Sequence, residues 1–248
     1  MLTTKLWAVI NDIQIPFQDV RVLDLAVRFI EKIKPHGVII NGDGTDCYSI
    51  SRFDKNPIGP ESLDIEIRDA GKLMDRLANC TKEQWWLGGN HEDRLRRYVW
   101  QHPYLFKVAI SMRERYSFYA LFNLQHYGFR WKEYGQAVWL GKLLVTHGSI
   151  VRKHSGETAR AHYQKYGVPV LVGHSHRLGA YYHTNLSGTA VAYENGCLCR
   201  LDPEYEQNPD WQHAISLVHV DTGSKLFHVD QLPILKRSLL IYGGQQFT

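Results

Sequence analysis

The chain has 248 residues, a formal net charge of +4 and four cysteines. That length fits one αβ domain with a sizeable core, the mild basicity suits a polyanionic substrate without amounting to a nucleic-acid-binding signature, and Cys47, Cys80, Cys197 and Cys199 lack the spacing of a disulfide framework or structural zinc site. The opening Met1-Leu2-Thr3-Thr4-Lys5 is no signal peptide and no apolar run reaches membrane-spanning length, so a reducing cytoplasm is the expected location and no membrane partner is expected.

In chain order, the apolar run at residues 6–10 predicts a strand that ends at Asp12-Ile13-Gln14. Val22, Ala26, Phe29, Ile30 and Ile33 then keep the three-four spacing of an amphipathic helix over 19–34, stopped by Pro35-His36-Gly37. A second strand, 37–40, leads into Gly42-Asp43, with Asp46 three residues on. A second helix is predicted over 62–79 from the stripe Leu63, Ile67, Ala70, Met74 and Leu77. The third strand, 85–87, runs into Gly89-Asn90-His91-Glu92.

Residues 92–126 read as a helical insertion rich in Arg94, Arg96, Arg97, Arg113 and Arg115 among Tyr98, Trp100, Tyr104, Phe106, Tyr116, Phe118, Tyr119 and Phe122. The segment has two readings: helices with aromatics packed inward and arginines solvated, or a groove wall where arginine holds phosphate and aromatics stack bases. A fourth strand, 143–145, ends at His147-Gly148, and Arg152, Lys153 and His154 follow before a helix from Ser155 to Tyr166-Gly167. Those three residues are either a solvated loop or a phosphate-binding one, with Ser155 and the helix start adding backbone donors. The fifth strand, 168–172, delivers Gly173-His174-Ser175-His176.

Beyond it, 180–184 and 189–196 read as strands of a second sheet joined by Asn185-Leu186-Ser187-Gly188, and 216–220 with 225–229 as another hairpin. His183, His213, His219 and His228 belong to these strands or the surface rather than to a metal, and Cys197-Leu198-Cys199 supplies buried or strand-end thiols. The tail, 237–248, reads as an added edge strand or a mobile segment.

Continuous apolar runs suit strands buried on both faces, and in such sheets ligand sites collect beyond the carboxyl ends of the strands. The polar patches fall there. Two carboxylates, one Asn, one Gln and three His form an oxygen and imidazole set without thiolate, suited to Mn, Fe, Zn, Ni or Mg in open coordination. Glycines at 42, 89, 148 and 173 stand where the chain must turn tightly and approach an ion closely.

The order Asp-x-(Gln), Gly-Asp, Gly-Asn-His-Glu, His-Gly, Gly-His-x-His over residues 8–176 resembles the calcineurin-like metallophosphoesterase superfamily. The resemblance implies a four-layer αββα sandwich of two mixed sheets, here one domain over 1–248, acting as a hydrolase of phosphoesters. It also implies two divalent ions, one held by Asp12, Gln14, Asp43 and His176, the other by Asp43, Asn90, His147 and His174, with Asp43 bridging. His91 would stand by the leaving oxygen and Asp46 would orient it. Two cations about 3.5–4 Å apart make hydroxide available from a bridging water near neutral pH and clamp the phosphoryl oxygens, with no covalent protein intermediate. His91 as acid would add on the order of a hundredfold or more. No serine nucleophile elbow, P-loop or dinucleotide fingerprint competes with this reading.

Two departures refine it. Gln14 stands where most members have His, a harder donor that tilts the first site toward Mn, as in the resembling manganese-dependent pyrophosphatases. Cys47 follows Asp46 where protein-phosphatase members carry Arg, which weakens a phosphoprotein substrate, although Arg52 is available as a substitute. The expected function is therefore a phosphodiesterase or nuclease acting on DNA, RNA or a nucleotide, with Arg52, Arg94, Arg152, Lys153 and His154 as candidate phosphate contacts. The alternatives are a phosphomonoesterase and a catalytically silent metal-bound binding module, the last opposed by the retained Asp46 and His91. The compact chain is also consistent with a viral origin, which would make the compartment a host cytoplasm.

Overall fold

The computed structural model describes residues 4–56, 59, 62–106, 114–186, 188–203 and 208–248. Met1 to Thr3, Arg113, Ser187 and the Phe106 side chain lie outside the described residues.

Strand β1 (Thr4–Ile10) leads to helix α1 (Val20–Ile33), whose start is set by Asp19. Its carboxylate accepts from the backbone N–H of Arg21 and Val22 at 3.2 and 3.3 Å, satisfying donors with no partner inside the helix. Strand β2 (Gly37–Asn41) and a 3₁₀ turn (Tyr48–Ile50) precede α2 (Leu63–Ala78), which Ser62 caps in the same way through Asp64 N–H at 3.1 Å. Then come β3 (Glu83–Leu87), the short helices α3 (Asp93–Gln101), α4 (Pro103–Phe106) and α5 (Phe118–Leu121), and β4 (Phe129–Lys132). The second half runs β5 (Val138–Leu140), β6 (Leu143–Thr146), α6 (Glu157–Tyr166), β7 (Val170–Val172), β8 (Leu178–Asn185), β9 (Gly188–Asn195), β10 (Ala214–Asp221), β11 (Phe227–Pro233), β12 (Leu240–Tyr242) and β13 (Gln245–Phe247).

Two mixed sheets result, ordered β11-β10-β1-β2-β3-β4 and β5-β6-β7-β9-β8. The continuous apolar runs conceal a period of two, because alternate residues of a strand point to opposite faces. Ala8, Ile10, Val38 and Ile40 face a core shared with α1 and α2, whereas Trp7, Val9 and Ile39 face a second core that contains Leu143, Val145 and Leu171 of the other sheet. Leu144, Val170 and Val172 turn outward onto Ala159 of α6. Helix, sheet, sheet, helix is thus the layering, as expected for an αββα sandwich.

The hairpin at 216–229 extends the first sheet, with β10 antiparallel to β1 from Thr4↔Asp221 to Val9↔Ser216. The tail is a separate β12-β13 hairpin, set on α1 by Tyr242 and Phe247, whose rings lie 5.7 and 4.7 Å from that of Phe29. Helix α6 begins at Glu157 rather than Ser155, because Gly156, at φ 86°, forms its N-terminal boundary and gives no side-chain cap. In the 92–126 segment some aromatics pack inward and others face solvent. Phe118 and Phe122 stack on each other and pack on Trp86, while Trp100 and Tyr104 remain exposed. No described helix is long and apolar enough to cross a membrane.

Candidate metal and phosphoester site

The loops after β1, β2, β3, β6 and β7 converge, so strand ends from both sheets, rather than one sheet edge, build the site. Among the described residues twelve non-glycine residues have positive φ, and five of them are Asp12 (50°), Gln14 (54°), Asp43 (49°), His174 (68°) and His176 (59°). That conformation costs an L-residue on the order of 1 kcal/mol or more, so its concentration here marks a constellation that the surrounding fold holds against local preference. The flanking glycines are required by space. A Cβ on Gly89 would lie 2.0 Å from Asp43 Oδ1, and one on Gly42, at φ 85°, 2.3 Å from His147 Nδ1.

Asp43 is the centre. Its Oδ2 lies 3.2 Å from His147 Nε2 and 3.7 Å from His91 Nε2, and the potential donor atoms of Asp43, His147 and His174 fall within 4.8 Å of one another. His147 Nδ1–H donates to Asn41 O at 2.9 Å, which turns Nε2 inward, where Asn90 Oδ1 stands 3.2 Å away. On the other side His176 Nε2 is 3.1 Å from Asp12 Oδ1 and 3.2 Å from the Gln14 amide nitrogen. Thus seven of the residues read from the sequence (Asp12, Gln14, Asp43, Asn90, His147, His174 and His176) form two adjoining clusters, while Asp46 and His91 stand beside them.

These groups fit divalent cations on a local observation. Asp12 Oδ1 is buried and accepts no hydrogen bond from any described group, although an imidazole stands at contact distance. A buried carboxylate oxygen in that condition is costly unless a cation meets it. The charges agree. Burial works to raise the Asp43 carboxyl, but the imidazoles of His147 and His91 overcome it and hold the group well below the usual carboxylate range. Burial depresses His147, and Asp43 outweighs it to bring the ring to about 10; burial likewise depresses His176, which Cys199 and Asp12 raise to about 10. The Cys199 thiol is itself pushed well above its ordinary value by burial, so at neutral pH Asp12 is the anion that acts on His176. Carboxylates that stay ionised and keep protons on the neighbouring imidazoles present negative charge that a metal cation can meet in place of those protons. His174 is lowered to about 4 by burial and by His147, which leaves it neutral with a free lone pair.

Beside Asp43, His91 Nδ1–H donates to Asp46 Oδ2 at 2.9 Å, leaving Nε2 directed at the centre. Burial lowers this ring, and Asp43 and Asp46 outweigh it and raise it above its ordinary value. Arg94 was read as a phosphate contact, and the structure adds a different partner. Its Nη1 donates to Asp46 Oδ1 at 2.6 Å and to Asp46 O at 2.7 Å, while Nη2 stands 3.3 Å from His91 Nε2. Arg96 and Arg97 pair with Asp93 at 2.5 and 2.6 Å. Arg52 is exposed against Phe53, the ring that also faces Arg94. Arg152, Lys153 and His154 sit on an exposed loop before α6, where Arg152 N–H donates to Thr158 Oγ1 and His154 N–H to Glu157 Oε2.

Sequence reasoning gave no role to Glu92. Its buried carboxylate accepts from the backbone N–H groups of Asp43, Gly44, Thr45 and Gly89 at 2.7–3.2 Å and from the Trp86 indole at 3.1 Å, so it ties the β2 and β3 loops together. Burial, then Asp43, raises its pKa. Asn11 was missed as well. Its Nδ2 donates to Asp12 Oδ2 and to Gly196 O, and its Oδ1 accepts from Asn195, which also accepts from Ser216 Oγ. Glu92 follows the Gly-Asn-His triplet and Asn11 precedes Asp12, so adjacency to a motif was the available signal.

The sequence profile of calcineurin-like phosphoesterases matches residues 7–178. The chain is 28% identical to the gene 54 protein of Mycobacterium phage D29 over 194 residues and 28% identical to that of phage L5 over 191, in each case covering 73% of this chain and 72% of the relative. Among solved structures, vacuolar protein sorting 29 of Cryptosporidium parvum overlays with a TM-score of 0.48 at 14% identity, covering 98% of this chain and 94% of that one. A dimetal phosphatase of Danio rerio overlays at 0.40 and 14%, covering 91% and 98%. With the profile spanning more than two thirds of its length and its motif residues gathered into one site, the chain belongs to the calcineurin-like phosphoesterase family and is a phosphoester hydrolase.

Proposed function

We propose that this chain is a dinuclear-metal phosphodiesterase acting on nucleic acid or nucleotides. The observation that carries the reading is the Asp43-centred cluster with His91 beside it: an oxygen and imidazole set able to hold two cations, next to an imidazole positioned as an acid. Asp12, Gln14, Asp43 and His176 would hold one ion, and Asp43, Asn90, His147 and His174 the other. Bound there, divalent ions would supply an activated water and offset the charge of the phosphoryl group. Rotation of the Gln14 amide would turn its oxygen inward, a donor suited to Mn.

The chain's own residues do the rest. Asp46 holds the Nδ1–H of His91, so that Nε2 carries the proton toward the departing oxygen. Arg94 holds Asp46 by two bonds and keeps the dyad in register. Cys47, fully buried in the position after Asp46, contributes no positive charge toward a phosphate, which supports a diester over a phosphoprotein. One observation favours the monoester reading: the Arg94 guanidinium stands beside His91 Nε2, where it would meet a terminal phosphate oxygen. The mycobacteriophage relatives support action in a bacterial host cytoplasm, and residues 1–248 are read as one domain with the 92–126 segment as its insertion.

The test is direct. Protein stripped of metal and resupplied with Mn, Mg, Zn or Ni is assayed on chromogenic phosphate mono- and diesters and on single- and double-stranded DNA and RNA. Strongest turnover with Mn on a diester is expected; cleavage of monoesters alone overturns the diester assignment.

A further inference from the structure

His176 presents its second ring nitrogen to a different chemistry. Nδ1 of His176 and the sulfurs of Cys197 and Cys199 lie within 4.8 Å of one another, all three residues are buried, and Cys199 Sγ is 3.7 Å from Nδ1. The local chain explains why two thiols share one side. After Gly196 turns at φ 70° the chain bridges to His213 at Cys197 and to Gln18 at Cys199, with a bend at Leu198 between them whose side chain enters the core shared with α1 and α2, while the two thiols stand beside His176. That backbone is pinned: Cys197 N–H donates to Gln212 O at 2.9 Å, Leu198 N–H to Asp12 O at 3.1 Å, and His213 Nε2 to Cys199 O at 2.8 Å.

Bond lengths of about 2.3 Å to sulfur and about 2.0–2.1 Å to imidazole nitrogen, at angles between tetrahedral and trigonal, require a sulfur to nitrogen separation of roughly 3.6–3.8 Å. The observed 3.7 Å meets that requirement without movement of either side chain. Two thiolates and one imidazole are the donors of a zinc-class d¹⁰ cation, in contrast to the oxygen-rich set on the other face of the same ring.

We propose that Cys197, Cys199 and His176 Nδ1 form a thiolate site for a zinc-class cation, sharing the His176 ring with the Asp12 and Gln14 cluster. On binding, both sulfurs and His176 Nδ1 lose their protons to solvent and Nδ1 gives its lone pair, so the one ring proton that remains is on Nε2. That nitrogen is the one 3.1 Å from Asp12 Oδ1. A cation among the sulfurs therefore opposes a cation at Asp12 and Gln14. This coupling rests on the dimetal reading above, whereas the thiolate site does not.

The experiment titrates the full-length, reduced, metal-stripped protein with Cd²⁺, whose thiolate charge-transfer absorption oxygen and imidazole ligands do not produce. Expected is a band that saturates at one equivalent, is displaced by Zn²⁺, persists in Cys47→Ser/Cys80→Ser and Asp12→Asn proteins, and disappears in Cys197→Ser/Cys199→Ser. Persistence in that last variant, loss in Cys47→Ser/Cys80→Ser, or no band in the wild-type protein overturns the site, and the Cys47→Ser/Cys80→Ser arm decides even where the other double variant fails to fold. Saturating Mn²⁺ should weaken Cd²⁺ binding tenfold or more, because coupling between two ligands is reciprocal. An unchanged affinity with the band intact overturns the sharing of His176 and leaves the thiolate site standing.

Discussion

The two halves of the site are built from similar ligands on unlike foundations. The Asp43 half stands on an ionisable group, Glu92, which gathers four backbone N–H groups and an indole. Behind the Asp12 half are neutral amides, Asn11 and Asn195, with a pair of thiols at the back of His176. Charge-assisted bonds to a buried carboxylate are roughly twice as strong as neutral ones and define a loop geometry more sharply. The difference teaches where variation is tolerated. Gly-Asp and Gly-Asn-His-Glu keep the family pattern in the first half, whereas the departure at Gln14 falls in the second.

Removing the foundations should separate the halves most strongly. Glu92→Ala leaves five donors in the interior without an acceptor, and a loss of about 3–5 kcal/mol of stability is expected in urea unfolding. Asn195→Ala, which unsatisfies neutral groups, should cost about 1–3 kcal/mol. Equal losses would break the comparison.

How much of this was legible follows from the same contrast. The strands that lead into the site and both long helices were readable, since apolar period acts locally, whereas the short strands β4 and β5 carry too few apolar residues to stand out and were not read. The residues that the structure gathers stand at the ends of apolar runs, Asp43, Asn90, His147, His174 and His176 beside glycine turns and Asp12 and Gln14 without one. Glu92 was printed within a motif, but its role was not: five donors from three segments meet only after β2 and β3 pair. Arg94 reads from sequence as a substrate contact, and its hold on Asp46 emerges only where the β2 loop and α3 meet. The assignment of β10, and of β11 through it, to the first sheet rests on pairing with β1, 213 residues distant in sequence at Leu6↔His219 and beyond the reach of local pattern.

Within the Asp43 half, His91→Ala tests whether the dyad stands apart from metal binding. Turnover should fall on the order of 10²–10⁴-fold, while metal content measured on the purified protein stays at the wild-type level. Loss of metal in step with activity would move His91 into the ligand set.

Asp46→Asn is expected to act more gently and through pH. Burial lowers the His91 ring while Asp43 and Asp46 outweigh it and raise it above its ordinary value, so the protonated acid persists to higher pH than in a free imidazole and activity declines as pH rises through that raised value. Asn keeps an acceptor for Nδ1–H but removes one anion. The alkaline limb of kcat/KM should therefore move to lower pH by about one unit or more, and an unmoved limb would assign that limb to another group.

The smallest effect belongs to the Asp12 half. Gln14 and His176 already lie within 3.2 Å, so a His at position 14 would place a second imidazole in the same cluster without rebuilding the loop. Imidazole is the softer donor and favours Zn over Mn relative to an amide oxygen. Gln14→His should shift the ratio of Zn to Mn affinity by roughly tenfold, about 1.4 kcal/mol, read by competition between the two ions, with stability near wild type. The Asp43 half should be indifferent to it, because Glu92 holds the β2 loop and the bond from Gln14 to that loop is made by its backbone N–H to Asp43 O, which the substitution keeps. A change that instead altered both ions equally would mean that the two halves are one mechanical unit, and the contrast between their foundations would lose its functional meaning.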